Sequence, residues 1–173
     1  MDVLVVIDMQ NDFIDGSLGT KEAQAILPNV EEKIKNFKGT VLFTRDTHEK
    51  TYLDSREGMS LPVCHCLKGT KGWEINSRLK EYVKEEPIDK PTFGSRFLAE
   101  KLVEMNEAEK IESVTLIGVC TDICVISNAL VIRSFLPELP ITVDASCCAG
   151  VSKCSHENAL EAMKMCQIEI EGL

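Results

Sequence analysis

Apolar residues along this chain fall into short, nearly unbroken blocks separated by stretches of longer period. "VLVVID" (3–8), "TVLFTRD" (40–46), "PIDKP" (87–91), "SVTLIGV" (113–119), "ITVDAS" (141–146) and "IEIEGL" (168–173) predict six strands. Between them, 29–37, 73–84, 95–110, 122–136 and 155–166 space their apolar residues three to four apart or concentrate strong helix formers, and predict helices. Ser95 and Ser155 stand where N-caps are expected. Strands that are apolar throughout, each followed by a helix, imply a parallel sheet covered on both faces. The expected class is α/β: a three-layer α/β/α arrangement around a six-stranded parallel sheet. The stretch 46–72 keeps no period and scatters Gly, Pro and His; a loop of that length is functional or disordered.

Composition narrows the picture. With 173 residues, 44% hydrophobic and 27% charged, residues 1–173 are expected to form one ordinary soluble domain. The net charge of -9 argues against nucleic acid or an anionic membrane surface as partner, since both would repel it. No segment approaches the ~20 apolar residues of a membrane span, and the opening "MDVLVVIDMQ" lacks the pattern of a signal peptide. A cytoplasmic setting with reduced thiols is therefore expected. The eight cysteines then read as core filler, ligands or nucleophile rather than a disulfide scaffold.

Ligands of parallel sheets bind outside the carboxyl ends of the strands. Asp8, Asp46, His48, Lys90 and the segment Cys120–Cys124 all fall there. Cys124, in the first turn of a helix starting near residue 122, would feel the positive end of that helix, which favours a thiolate. Free N–H groups in the same turn could hold an oxyanion. A cysteine there reads equally well as a small buried hydrophobe. Lys90 could stabilise a thiolate or simply be solvated. Asp8 closes an apolar strand, so its carboxylate needs a partner or a task, such as general base or structural cap. Asp46 and His48 alternate, so extended backbone points them to one side. His65 and Glu57, from the long loop, could complete a mixed imidazole–carboxylate set suited to Zn, Mn or Fe.

Taken together, "VVIDMQNDF", "TRDTHE", "CHCLKGTKGWEI", "KPTFGSRF" and "GVCTDICVISNAL", with "VDASCCAG…HENAL" as a weaker tail, resemble the isochorismatase-like cysteine hydrolases, nicotinamidases most of all. The resemblance runs in order over nearly the whole chain. It implies a six-stranded, Rossmann-like parallel fold and a catalytic triad of Asp8, Lys90 and Cys124. It also implies an oxyanion hole from the N–H groups of Cys120 and Cys124, with a cis peptide at Val119–Cys120. A divalent metal, Zn above all, would be held by Asp46, His48 and His65, with Glu57 in a fourth position seen in some members. Phe13 would pack on the substrate ring.

The implied reaction converts nicotinamide to nicotinate and ammonia through a thioester, as in NAD salvage. The small-molecule partner would be an amide, and the assembly a homo-oligomer. The alternative within the family is a hydrolase of another amide or ureido compound. Outside it stand a zinc-structured or redox cysteine protein and an inactive interaction module. Two positions depart from the family pattern: Cys64 replaces a frequent Pro before His65, and "SLPVC" lacks a frequent Trp, with Trp73 lying after the histidine instead.

Overall fold

The run "VLVVI" of β1 (Asp2–Ile7) is buried at every position, which requires cover on both faces and a paired strand on each side. The computed structural model, which describes residues 1–173, supplies both. Its strands are β1, β2 (Thr40–Asp46), β3 (Ile88–Lys90), β4 (Ser113–Val119), β5 (Ile141–Ala149) and β6 (Glu169–Glu171); its helices are α1 (Asn11–Ile14), α2 (Lys21–Asn36), α3 (Arg56–Ser60), α4 (Arg96–Ala108), α5 (Ile126–Phe135) and α6 (Lys153–Met165). The sheet order is β3-β2-β1-β4-β5-β6, and every pairing is parallel.

The strand period sorts β1 between two cores. Val3, Val5 and Ile7 face Leu98 and Leu102 of α4, Ala129 and Ile132 of α5, and Leu160 and Met163 of α6. Leu4 and Val6 face Leu27, Val30 and Ile34 of α2, together with Ile75 and Leu79. These are the three expected layers. The chain leaves β1 toward β2 on one side and reaches β4 on the other, so the direction of winding reverses between β1 and β4. That switch point is where a parallel sheet opens a crevice at its carboxyl edge.

Several expected elements change. The helix expected at 29–37 starts at Lys21, where the Thr20 hydroxyl caps it by accepting the Ala23 N–H. Pro28 lies inside it. The buried line Ala23, Leu27, Val30, Ile34 keeps helical spacing across the proline and outweighs its lost backbone bond.

The stretch 73–84 is not a helix and holds only a 3₁₀ turn at Lys80–Tyr82. Its backbone is committed elsewhere. Glu74 C=O accepts the Asn11 N–H, Asn76 N–H donates to Met9 C=O, and Trp73 C=O accepts from the Gln10 amide. The long stretch 46–72 is ordered by a 3₁₀ turn (Tyr52–Asp54) and by α3, with the Tyr52 hydroxyl donating to Leu61 C=O. Ser155 is not the cap of α6. Ser152 is, and Ser155 completes its capping box.

Candidate active site

Each strand of the central group delivers a polar side chain at or just past its carboxyl end. Asp8 follows β1 in a left-handed conformation (φ 50°), which turns its carboxylate inward under β2. There the Thr44 hydroxyl donates to Asp8 Oδ1 at 2.6 Å, and the Asp8 N–H donates back to Thr44 Oγ1 at 3.2 Å. Lys90, the last residue of β3, places Nζ 2.7 Å from Asp8 Oδ2 and 3.3 Å from Cys124 Sγ. Nζ also donates to Thr92 C=O at 3.2 Å and lies 3.4 Å from Asp46 Oδ1. Asp8 and Lys90 are fully buried. An ion pair so enclosed persists only with close geometry and further hydrogen bonds, and both are present.

Cys124 comes from a tighter corner than the expected helix start. Residues Thr121–Val125 form a single wide π-type turn, and α5 begins only at Ile126. The N–H groups of Ile123 and Val125 both donate to Cys120 C=O. The Val119–Cys120 peptide is cis, as the resemblance implies. Gly118 precedes it at φ +120°, where a Cβ would stand 2.1 Å from Ile7 C=O; only glycine lets β4 come this near β1 at the switch point.

The electrostatics differ from a preformed thiolate. Burial, followed by the negative charge of Asp8, pushes the Cys124 thiol well above its usual range, with Lys90 acting the other way. Burial also raises the Asp8 carboxyl, against the opposing pull of Lys90. The Lys90 ammonium is held charged: burial disfavours it, and the nearby Asp8 and Asp46 carboxyl groups act against burial. Cys124 thus stands as a buried sulfur in contact with Lys90, which in turn contacts Asp8. Burial likewise pushes the Cys120 thiol up, to about 12.

Beside this chain of contacts stands a second cluster. One ligand-capable atom from each of Asp46, His48, Glu57 and His65 lies within 4.8 Å of the others. Asp46 Oδ2 is 3.0 Å from His48 Nε2 and 3.6 Å from His65 Nε2, while Glu57 Oε1 is 3.5 Å and 3.7 Å from the same two nitrogens. His65 Nδ1 donates to Val63 C=O at 2.8 Å, which turns Nε2 toward the cluster. Burial disfavours the Asp46 carboxylate, but hydrogen bonds from His48 and His65 outweigh it and hold the group ionised. Burial and then the charge of Asp46 raise Glu57. Two carboxylates and two imidazoles converging on one point form a donor set that suits Zn, Mn or Fe. The chemistry of the set fits a divalent metal.

The two clusters open into one cavity of about 860 Å³, whose lining includes Cys124, Cys120, Asp46, Glu57, His65 and Phe13. The Phe13 ring lies 5.6 Å from that of His65, centroid to centroid. All the residues singled out in the sequence thus meet at one edge of the sheet. Trp73 does not join them: its Nε1 donates to Thr47 Oγ1, and the Arg45 guanidinium stacks 3.8 Å from its ring. Leu61 lines the cavity instead.

Three supporting residues escaped the sequence reading. Thr44 orients Asp8. Gln10 grips the Asp46 backbone from both sides, accepting the Asp46 N–H at 2.7 Å and donating to its C=O at 2.9 Å. Asn128 donates to the carbonyls of Cys124 and Phe93 and accepts the Ser95 N–H. All three stood inside the quoted motifs, Thr44 opening "TRDTHE", Gln10 in "VVIDMQNDF" and Asn128 in "GVCTDICVISNAL", and that was the available signal.

Comparison with known proteins agrees with this geometry. The isochorismatase domain family model matches residues 2–171. The structure is similar to the pyrazinamidase of Pyrococcus horikoshii in complex with zinc (27% identity, 99% of each chain covered, TM-score 0.80). It is also similar to the pyrazinamidase/nicotinamidase of Streptococcus mutans UA159 (26% identity, 98% of this chain and 99% of that one, TM-score 0.83). The N-carbamoylsarcosine amidase of Thermoplasma acidophilum shares the fold (24% identity, 98% and 95% covered, TM-score 0.76).

Proposed function

Because the chain belongs to the isochorismatase family, we propose that it is a metal-assisted cysteine amidohydrolase that converts nicotinamide to nicotinate and ammonia. The observation that carries this reading is the unbroken contact from Asp8 through Lys90 to Cys124, opening into the same cavity as the Asp46–His48–Glu57–His65 cluster.

In this reading the Cys124 sulfur attacks the amide carbon while its proton passes to Asp8. A carboxyl raised by burial is a better proton acceptor than an ordinary one. Lys90 stays charged and offsets the negative charge that builds on sulfur as its proton leaves. The N–H groups of Cys120 and Cys124 hold the carbonyl oxygen as it becomes an oxyanion. Asp8 then returns the proton to the departing nitrogen and ammonia leaves. Asp8 next deprotonates a water, which hydrolyses the thioester and restores the thiol.

Phe13 packs on the ring. Asp46, His48 and His65, with Glu57 fourth, would hold the metal. A divalent ion bound there would supply a Lewis-acid contact for the ring nitrogen. The protein is read as one hydrolase domain over 1–173, a cytoplasmic homo-oligomeric enzyme of NAD salvage; no helix is long and apolar enough to cross a membrane.

The test is ammonia release from nicotinamide. Turnover is expected to disappear in Cys124→Ala and to fall sharply after chelation, returning with added Zn, Mn or Fe. Ammonia release by Cys124→Ala would end the assignment. Turnover indifferent to chelation would move the substrate to another amide or ureido compound.

A further inference from the structure

The chain has five arginines, and four have their guanidinium groups engaged. Arg45 pairs with Asp89 and Glu86, Arg78 with Glu31, and Arg96 with Glu100. Arg133 donates to the carbonyls of Pro137, Leu139 and Gln167. Arg56 has no ion pair and no side-chain hydrogen bond, although this acidic chain carries 28 carboxylates. It is also the one Lys or Arg that lines the cavity.

Its surroundings give that uncommitted cation a direction. The residues lining one end of the cavity, Cys124, Asp46 and His65, are buried. Arg56, Ser60, Leu61 and Phe93, which line it elsewhere, are exposed. Arg56 therefore belongs to the outer part and the reacting sulfur to the inner part, with the apolar surfaces of Phe13, Leu61, Phe93 and Ile123 also in the lining. At about 860 Å³ the space falls in the upper part of the ~300–1,000 Å³ range of drug-sized ligand sites, and a one-ring amide fills only part of it. Asp8 and Lys90 cancel. Once a divalent cation offsets Asp46 and Glu57, Arg56 is the only uncompensated charge facing the cavity.

We propose that the cavity takes aromatic amides that carry a second, ionised carboxylate remote from the scissile amide, and that Arg56 is the residue that receives it. The guanidinium fork matches a carboxylate with two parallel hydrogen bonds, and the apolar lining accepts the ring between the two polar ends. This rests on the amidase reading above and extends its substrate class from nicotinamide to ring acids bearing a carboxamide.

The test separates the two claims. Binding is measured by calorimetry in the Cys124→Ala background, where the amide stays intact, using 5-carbamoylpyridine-3-carboxylate and nicotinamide. The acid is expected to bind about tenfold more tightly than nicotinamide, the low end for a hydrogen bond to a charged group because Arg56 is exposed. Adding Arg56→Gln should remove the preference, and Arg56→Glu should invert it. Raising the salt from 0.05 to 0.5 M, roughly a threefold shorter screening length, should shrink it. Equal binding of the two ligands, or a preference that survives Arg56→Gln, overturns the inference. Failure of the amidase reading would appear separately, as no ammonia from either compound with Cys124 in place.

Discussion

The side-chain amide of Asn128 is fully buried and joins the two segments that bring Lys90 and Cys124 into contact. It donates to Cys124 C=O at 2.8 Å and to Phe93 C=O at 3.1 Å, and accepts the Ser95 N–H at 2.9 Å. Asn128→Ala would leave those backbone groups in apolar surroundings without partners, at a cost of about 1–3 kcal/mol. Urea unfolding measures that cost. A second readout isolates the positioning role: iodoacetamide alkylation of Cys124, located by mass spectrometry, should slow in Asn128→Asp, whose added charge is repelled by the Cys124 and Phe93 carbonyls it faces. Wild-type alkylation in a folded Asn128→Asp would remove Asn128 from the account. At this scale the sequence was informative about groups that must be a particular chemical type, such as Asp8, Lys90, Cys124 and the four cluster residues. It was nearly silent about Thr44, Gln10 and Asn128, whose roles depend on which backbone groups the folded chain leaves facing them. The upward push on the Cys124 thiol was equally illegible, because burial, its largest cause, is a property of the packed molecule.

The first turn of α6 carries more than its own helix. Ser152 caps it by accepting the Ser155 N–H at 3.1 Å, and Ser155 returns the bond to the Ser152 N–H. His156, one residue on, has Nδ1 2.7 Å from the Thr121 hydroxyl, and the Val151 N–H donates to Asp122. The Thr121–Val125 turn is thereby fastened to α6 and to the residue before its cap. Ser152→Ala should cost about 1 kcal/mol, the usual worth of such a cap, read by urea unfolding. Amide exchange should rise both in 152–156 and in 121–125; exchange confined to α6 would show the two elements to be independent. Strand positions were legible because all five buried residues of "VLVVI" declare themselves without reference to anything distant. Helix limits were less so. Pro28 masked the first turns of α2, while the apolar spacing in 73–84 belonged to Ile75 and Leu79 reaching the core from an irregular segment whose backbone is stapled to residues 9–11.

Across the whole molecule, acid should act in two opposing ways. The net charge of -9 makes the chain repel itself near neutrality, so protonation of exposed carboxylates relieves repulsion as the pH approaches the isoelectric point near 4.9. Against this works the bridge by which Lys33 of α2 reaches Asp144 of β5 and Glu171 of β6, each at 2.7 Å. Burial disfavours the Asp144 carboxylate, but hydrogen bonds from Lys33 and Ser146 outweigh burial and hold the carboxyl below its ordinary value. A carboxyl depressed in the folded state contributes stability that is present above its unfolded value, about 3.9, and is lost as the pH falls through the folded value. The general and the local effects can be separated by difference. Urea midpoints for the wild type and Lys33→Met, measured from pH 3 to 8, should both carry the global charge effect. The gap between them should be widest above about pH 5 and narrow as the pH falls below about 4, as Asp144 becomes protonated and the bridge loses its Asp144 acceptor. A gap that stays constant to pH 3 would mean that Lys33 stabilises through the packing of its aliphatic stem against the sheet rather than through Asp144.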